Sequence, residues 1–465
     1  MAFTGNAVQH GGALAGGAAT GSLGFALKEE FDDEVVSQFN NETTLSQLLL
    51  DGTDEMEWTG EYYVQPLHTG RNMAASPGAE THDYPDAGNQ AGAQLQIPVA
   101  FYRTSGQITS KAILAAEKGN AGSVVDGLDS DIRMGLRDLI RTCNGDFYGS
   151  QLGIIAEVSA LPGGNQLTLR STLGAVARHW QTNGARFFAG GRSQQVVIAA
   201  LAEATASYSA VRGRSTVLTR DNRTQITMTA GLPAGTAVGD VLIRAPSSNA
   251  NDTWTNVQDE ARLAVCGLEQ IIDDGTTMPA RLDASYFTQD RSTQDILNGL
   301  VRNMAGAAID EPTLQDFCDA IAEQGGESTK DSLLLMHRSV RSRMMQIWTP
   351  ERRFAPQEFK GGLDGKMLVY NAGDGDQKVY VDKDATYGTI FFVNPRFLKR
   401  LVLAPAHLVT HTGSALRQPG NAPVWTWNIE AYFQLFSAKA NTLGKLFNVA
   451  ADATYGLGAT YNPAF

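Results

Sequence analysis

The sequence predicts an α+β fold, and three observations carry that expectation. A stretch around residues 119–149 has its apolar residues at helical spacing, residues 151–260 read as strands and turns, and residues 261–400 alternate helical with extended patterns. At 465 residues the chain exceeds the roughly 250 to 300 at which a single hydrophobic core stops growing, so two or three packing units are expected.

In chain order, residues 1–27 are dominated by Gly and Ala and read as an arm that only a neighbour would order. From Glu29 to Leu50, Phe31, Val35, Val36, Phe39, Leu45, Leu48 and Leu49 suggest one or two short amphipathic helices. Next, EYYVQPL and LQIPVAFY read as strands, the second placing Leu95, Ile97, Val99 and Phe101 on one face. Between them AASPGAETHDYPDAGNQAGAQL, Ala74 to Leu95, holds a single large apolar side chain before its last residue, Tyr84, and is broken by Pro77, Gly78, Pro85, Gly88 and Gly92. Such a tip cannot build a core of its own, and long structureless loops in compact domains usually serve a purpose.

The helical stretch NAGSVVDGLDSDIRMGLRDLIRTCNGDFYG steps through Val125, Leu128, Ile132, Leu136, Leu139, Cys143 and Phe147. Its early acids Asp126, Asp129 and Asp131 and its later bases Arg133, Arg137 and Arg141 complement a helix dipole. The three arginines form a stripe that is either a solvated face or a subunit contact. In the β-rich stretch, Gly239 and Asp240 look like a corner before Val241.

Further on, ARLAVCGLEQIIDDG reads as a strand or short helix. A helix is expected through Ile296, Leu297, Leu300, Val301 and Met304, with Ser292 and Asp295 as its capping box. A second, capped by Thr313 and Asp316, should bury Leu314, Phe317 and Ile321 and stop at Gly325 and Gly326. SLLLMHR, KMLVY, QKVYVD and TIFFVN read as strands and SVRSRMMQIW as a helix. VWTWNIEAYFQLF places Trp425, Trp427, Ile429, Ala431, Phe433 and Leu435 on one face of the strongest strand.

Chemistry is sparse. The formal net charge of -12, from 37 basic and 49 acidic residues, argues against tight non-specific binding to phosphate backbones. Cys143, Cys266 and Cys318 are too scattered for a disulfide framework or a zinc site. No export signal and no stretch of ~20 apolar residues is expected to reach a membrane. His407 and His411 lack the glutamate of H-E-x-x-H and read as structural. Asp374, Asp376, Asp382 and Asp384 lack the pattern of a calcium loop and read as a hairpin turn. The cluster Arg338, Arg341, Arg343, Arg352 and Arg353 reads as salt bridges to neighbouring acids. Neither a nucleotide loop nor a nucleophile elbow is present, so no catalytic residues, cofactor or metal are assigned.

The order of parts, together with KVYVDKDATYGTIFFVNPRFLKRLV, VWTWNIEAYFQLFSAKANTLGKLFNV and the helix ending IRTCNGDFYG, resembles the major capsid proteins of tailed bacteriophages, which share the HK97 fold. The resemblance implies an HK97-like major capsid fold with an N-terminal arm (1–57), an E-loop in the form of an extended β-hairpin (58–110) and a peripheral domain (111–260). That domain holds a spine helix at about 119–149 and a β-rich layer; an axial domain (261–400) and a return strand with C-terminal tail (401–465) complete it. It further implies a non-enzymatic, self-assembling subunit of pentamers and hexamers in an icosahedral virion capsid, formed in the host cytoplasm. Its partners would be other copies, a portal, scaffold or decoration proteins and loosely held double-stranded DNA, without a membrane. Expected inter-subunit contacts are Tyr62, Tyr63, Pro77, Tyr84, Pro85, Ile97 and Phe101 from the E-loop and Arg133, Arg137 and Arg141 from the spine helix. An encapsulin-like compartment of the same fold and a soluble α/β enzyme stand as alternatives.

Overall fold

A computed structural model describes residues 44–45, 48, 55–57, 62–72, 74, 83, 88–110, 121–149, 154–169, 194–202, 207–221, 225–229, 231–244, 264–275, 285–330, 332–348, 368–371, 376–382, 384–386, 388–410, 416–418 and 423–450. The chain first forms strands β1 (Glu55–Glu57), β2 (Tyr62–Gly70), β3 (Ala91–Pro98) and β4 (Ala100–Thr109), then helix α1 (Ala121–Phe147). Strands β5 (Ile154–Gly163), β6 (Gln166–Leu169), β7 (Gln194–Ala202), β8 (Ser207–Arg220), β9 (Gln225–Met228) and β10 (Val241–Arg244) follow. Helix α2 (Leu268–Ile271), the two-residue strands β11 (Ser285–Tyr286) and β12 (Gln289–Asp290), and β13 (Leu300–Asn303) lead to helix α3 (Glu311–Gly325). Then come β14 (Leu333–Met336), helix α4 (Arg338–Trp348), β15 (Leu368–Asn371), β16 (Asp376–Val381), β17 (Ile390–Val393), β18 (Leu398–Leu408), β19 (Val424–Ser437) and β20 (Gly444–Phe447).

These elements divide into two compact units. The smaller holds the described residues within 103–138 and 406–430, the larger those within 37–102, 139–405 and 431–465. In the smaller, Trp427 is buried and its indole N–H donates to the buried Asp131 carboxylate at 3.0 Å. A Cβ on Gly106 of β4 or on Gly135 of α1 would strike the Trp427 ring. Both glycines are needed because the indole fills the space a side chain would take.

The larger unit is built on a six-stranded mixed sheet in the order β13-β20-β17-β14-β16-β15. Its middle strands LLLM and IFFV are continuous apolar runs, as strands covered on both faces must be. On one face Leu334, Met336, Ile390, Phe392 and Leu446 pack with Leu314, Phe317 and Ile321 of α3 and Val340 and Met344 of α4. Each such side chain contributes about 1.5–3 kcal/mol on burial. Asp310 caps α3 by accepting from the Thr313 N–H at 3.0 Å, and Gly326 ends the helix in the left-handed region. The expected cap at Thr313 therefore moves three residues back, and Asp316 instead pairs with Arg302 at 2.6 Å.

The helix expected through residues 296–304 does not form. Short 3-10 turns occupy Arg291–Thr293 and Asp295–Leu297, and Leu300–Asn303 is strand β13, paired in parallel with β20. Sheet pairing with residues some 144 positions away (Leu300↔Gly444) outweighs the local period, and a Cβ on Gly299 would crowd the Ile272 backbone at 3.2 Å. In α1, no acidic residue lies in the first turn and no basic one in the last, so the expected dipole complementarity is absent at both ends.

Strands β5 to β10 close into a barrel in the order β10-β5-β6-β9-β8-β7. Val158, Leu167, Leu169, Val196, Ile198, Ile226, Met228 and Leu242 fill its interior. β10 closes it by pairing antiparallel with both β5 and β7. The chain leaves for the barrel after Gly149 and is back at Gly267, where a Cβ would strike the carbonyls of Asp146 and Gly149.

A further sheet has the order β1-β18-β19-β4, with β1 parallel to β18. In β19 burial alternates as expected at Trp427, Ile429 and Ala431, but Gln434 to Ser437 are all buried, so the two-faced pattern ends there.

Candidate functional site

The described residues that best fit an interaction role lie on the ribbon β2–β3. Its register runs from Tyr62↔Pro98 through Val64↔Gln96 and Gln65↔Leu95 to His68↔Gly92. Alternation gives the ribbon two unlike faces. Leu67, Leu95 and Ile97 are buried on one; Tyr62 and Val64 point the other way and are 49% and 44% exposed. Large apolar side chains left on an uncovered strand face offer area to a second surface.

The foot of the ribbon is clamped to the same unit. Gln96 N–H donates to Thr288 Oγ1 at 3.2 Å, Gln289 Nε2 to the Gln94 carbonyl at 2.7 Å, and Gln434 Nε2 to the Pro98 carbonyl at 3.2 Å. The Tyr63 ring lies 5.8 Å from that of Phe436, its hydroxyl donates to Gln65 Oε1 at 3.2 Å, and desolvation holds its phenol above the ordinary tyrosine value. These partners on β12, β19 and the turn at Thr288 had no readable signal in the sequence, because each is remote along the chain.

The residues expected to touch neighbours are distributed unevenly. Tyr62 faces outward, Tyr63 is half-buried and Ile97 is wholly covered by its own chain. Phe101 is half-buried, its ring stacked on Tyr432 at 4.6 Å. It does not share a face with Ile97: the strand breaks at Val99, and Ala100 and Tyr102 become the buried positions. Pro98, lacking an N–H, ends the β2–β3 ladder there. Pro77, Tyr84 and Pro85 lie outside the described residues, as do the arm at 1–27, His411, Arg352, Arg353 and Asp374. On α1, Arg133 and Arg137 are exposed and Arg141 is half-buried.

A second polar centre was hidden in the sequence. Buried Asp382 accepts from the Leu45 N–H at 3.1 Å, from Asn144 Nδ2 at 3.2 Å and from the Tyr148 hydroxyl at 3.2 Å. Asp384 accepts from the same Asn144 amide at 2.9 Å. The two carboxylates thus tie the segment at Leu45 and the last turn of α1 to the loop after β16. Among the described residues no group of three or more His, Cys, Asp or Glu is arranged to hold a metal ion. Burial pushes the Cys266 thiol up to about 12 and Cys318 up to about 11, which favours the protonated thiol at neutral pH. No described helix is long and apolar enough to cross a membrane.

No family model matches the chain, and no curated protein matches it. Among solved structures, the chain is similar to the capsid asymmetric unit of cyanophage A-1(L), at 9% identity and a TM-score of 0.53, covering 91% of this chain and 97% of that one. It also aligns with the capsid of a native GTA particle at 9% identity and a TM-score of 0.45, covering 94% and 100% of the two chains. The SrpI encapsulin of Synechococcus elongatus aligns at 7% identity and 0.41, covering 90% and 92%.

Proposed function

We propose that this chain, which has the HK97-type fold of tailed-phage capsid subunits, is a major capsid protein that assembles through its β2–β3 ribbon. The observation that carries the reading is the ribbon itself. Its foot is clamped to its own subunit by Thr288, Gln289 and Gln434, while Tyr62 and Val64 on the opposite face stay about half exposed. Residues 58–110 serve as the E-loop, residues 119–149 as the spine helix of the peripheral domain (111–260), 261–400 as the axial domain, and 401–465 as the return strand and tail. Copies form pentamers and hexamers that close into an icosahedral shell, since heterologous contacts that close by rotation give rings. Double-stranded DNA is held loosely inside, in keeping with the net charge of -12. Tyr62, with the tip residues Pro77, Tyr84 and Pro85, meets the neighbouring copy, and Arg133, Arg137 and Arg141 form a second contact. The protein is structural rather than enzymatic. It assembles in the host cytoplasm with a portal and separate scaffold or decoration proteins.

Replacing Ser76 to Gln90 with an Asn-Gly turn tests this reading. The expected result by electron microscopy is loss of shells with thermal unfolding of the subunit little changed. Normal shells from the variant overturn the ribbon's role, and particles that carry protein cargo without nucleic acid overturn the DNA-enclosing reading.

A further inference from the structure

Lys445 is the one charged residue of β20, and it is completely buried. Across the sheet it is paired with Phe391 on one side and Val301 on the other. Its ammonium donates to the Glu269 carbonyl at 3.0 Å and to Glu269 Oε2 at 3.3 Å, and lies 3.7 Å from Asp273 Oδ1. All three side chains are without exposed surface. Asp273 Oδ2 accepts from the Gly275 N–H at 3.2 Å, whereas Oδ1 makes no hydrogen bond and faces the amine.

The main chain around this carboxylate is fixed from below. Arg291, also fully buried, donates to the carbonyls of Gln270, Asp273 and Leu297 while its guanidinium sits 4.7 Å from the centre of the Tyr286 ring. Four charged groups are thereby held out of water in one place, which costs far more than burying fewer. An amine, a carboxyl group and a second carboxylate between them are already oriented, and orientation of this kind is a large part of what an amide-forming reaction lacks in solution.

We propose that Lys445 and Asp273 condense within the folded subunit to an amide, with Glu269 carrying the proton. Lys445 Nζ first passes one proton to Asp273 Oδ1, leaving a neutral amine beside a neutral carboxyl. Nζ then attacks Cγ, with the developing negative charge on Oδ2 facing the Gly275 N–H. Glu269 takes the second amine proton and delivers it to Oδ1. The Cγ–Oδ1 bond breaks, Oδ1 leaves as water, and the Cγ–Nζ bond remains. No oxidant or other co-reactant is needed. One buried cation, Arg291, and one buried anion, Glu269, are left in balance. The bond closes the final strand onto the segment by which the chain returns from the barrel.

Mass spectrometry of the purified full chain tests the proposal. The expected mass is that of the sequence less one water. Trypsin should fail to cut after Lys445, so that peptide 263–281 is recovered joined to peptide 440–465. Recovery of peptide 263–281 alone, with cleavage after Lys445 giving 440–445 and 446–465, overturns it. So does a loss of water confined to the Asp274–Gly275 backbone, where an imide would give the same mass without a link. Glu269→Gln is expected to keep the full sequence mass with an unchanged far-ultraviolet spectrum; an equally linked variant overturns the role of Glu269. Should that variant fail to fold, the peptides of the unaltered chain still decide whether the bond exists.

Discussion

The barrel β5–β10 and the ribbon β2–β3 are both antiparallel β-structure, yet they use their hydrogen bonds and apolar side chains in opposite ways. The barrel pairs β10 with both β5 and β7, which leaves no open edge, and turns its apolar residues onto one another. The ribbon has only two strands and one covered face, and along β3 it is side chains of Thr288, Gln289 and Gln434, not a further strand, that meet its main chain. A closed sheet satisfies itself, while an open one is completed by a partner. The same building material therefore serves self-sufficiency in one region and, on the proposed reading, association in the other.

The largest effect that sharpens this contrast is expected inside the barrel. Leu242→Ala removes a fully buried side chain from a closed core and should cost about 2–5 kcal/mol in urea unfolding. Shells should still form wherever the subunit remains folded. An intermediate effect is expected at the foot of the ribbon, where Gln289→Ala removes the bond to the Gln94 carbonyl, about 0.5–1.5 kcal/mol. Faster hydrogen exchange at Gln94 and Gln96, with the barrel unchanged, would be the sign of a loosened clamp.

The smallest stability effect belongs to the bare face and to the phenol behind it. Val64→Ser should change subunit stability by no more than about 0.5 kcal/mol, yet lower the yield of shells seen by electron microscopy. A subunit destabilised as much as the Leu242→Ala variant would show that this face has an intramolecular partner, and the comparison would fail. Tyr63 refines it further. Its phenol is held above the ordinary value by desolvation, so its contribution is fully present below the unfolded pKa near 10 and is lost as pH rises through the higher folded value. Tyr63→Phe should remove part of the alkaline loss of stability, measured as the difference between the two unfolding curves above pH ~10.

Much of this architecture was legible in the sequence, and the failures share a cause. The long helix, β2, β14, β17 and the burial face of α3 follow from periodicity because their patterns are local and long or strongly apolar. The stretch Leu300–Asn303 was misread as helix because a short apolar run fits both periods. What decides it is pairing with Gly444–Phe447, which no local window contains. Barrel closure is invisible for the same reason. Asp382 read as a turn acid, since its partners Leu45, Asn144 and Tyr148 lie 337, 238 and 234 positions away. At the ribbon, the face shared by Leu95 and Ile97 was readable, but the break at Val99 that turns Phe101 away from Ile97 depends on what Pro98 meets.

The close approach of Gly267 to Gly149 means that the barrel's two stems emerge side by side, through a gap that one extra methyl group would jam. A module attached in this manner behaves like a graft on a rootstock. It can be exchanged for another compact domain whose own ends lie close together without redrawing the host. Under the proposed capsid reading, that junction offers a place where a foreign domain can be spliced once into the gene and carried by every subunit.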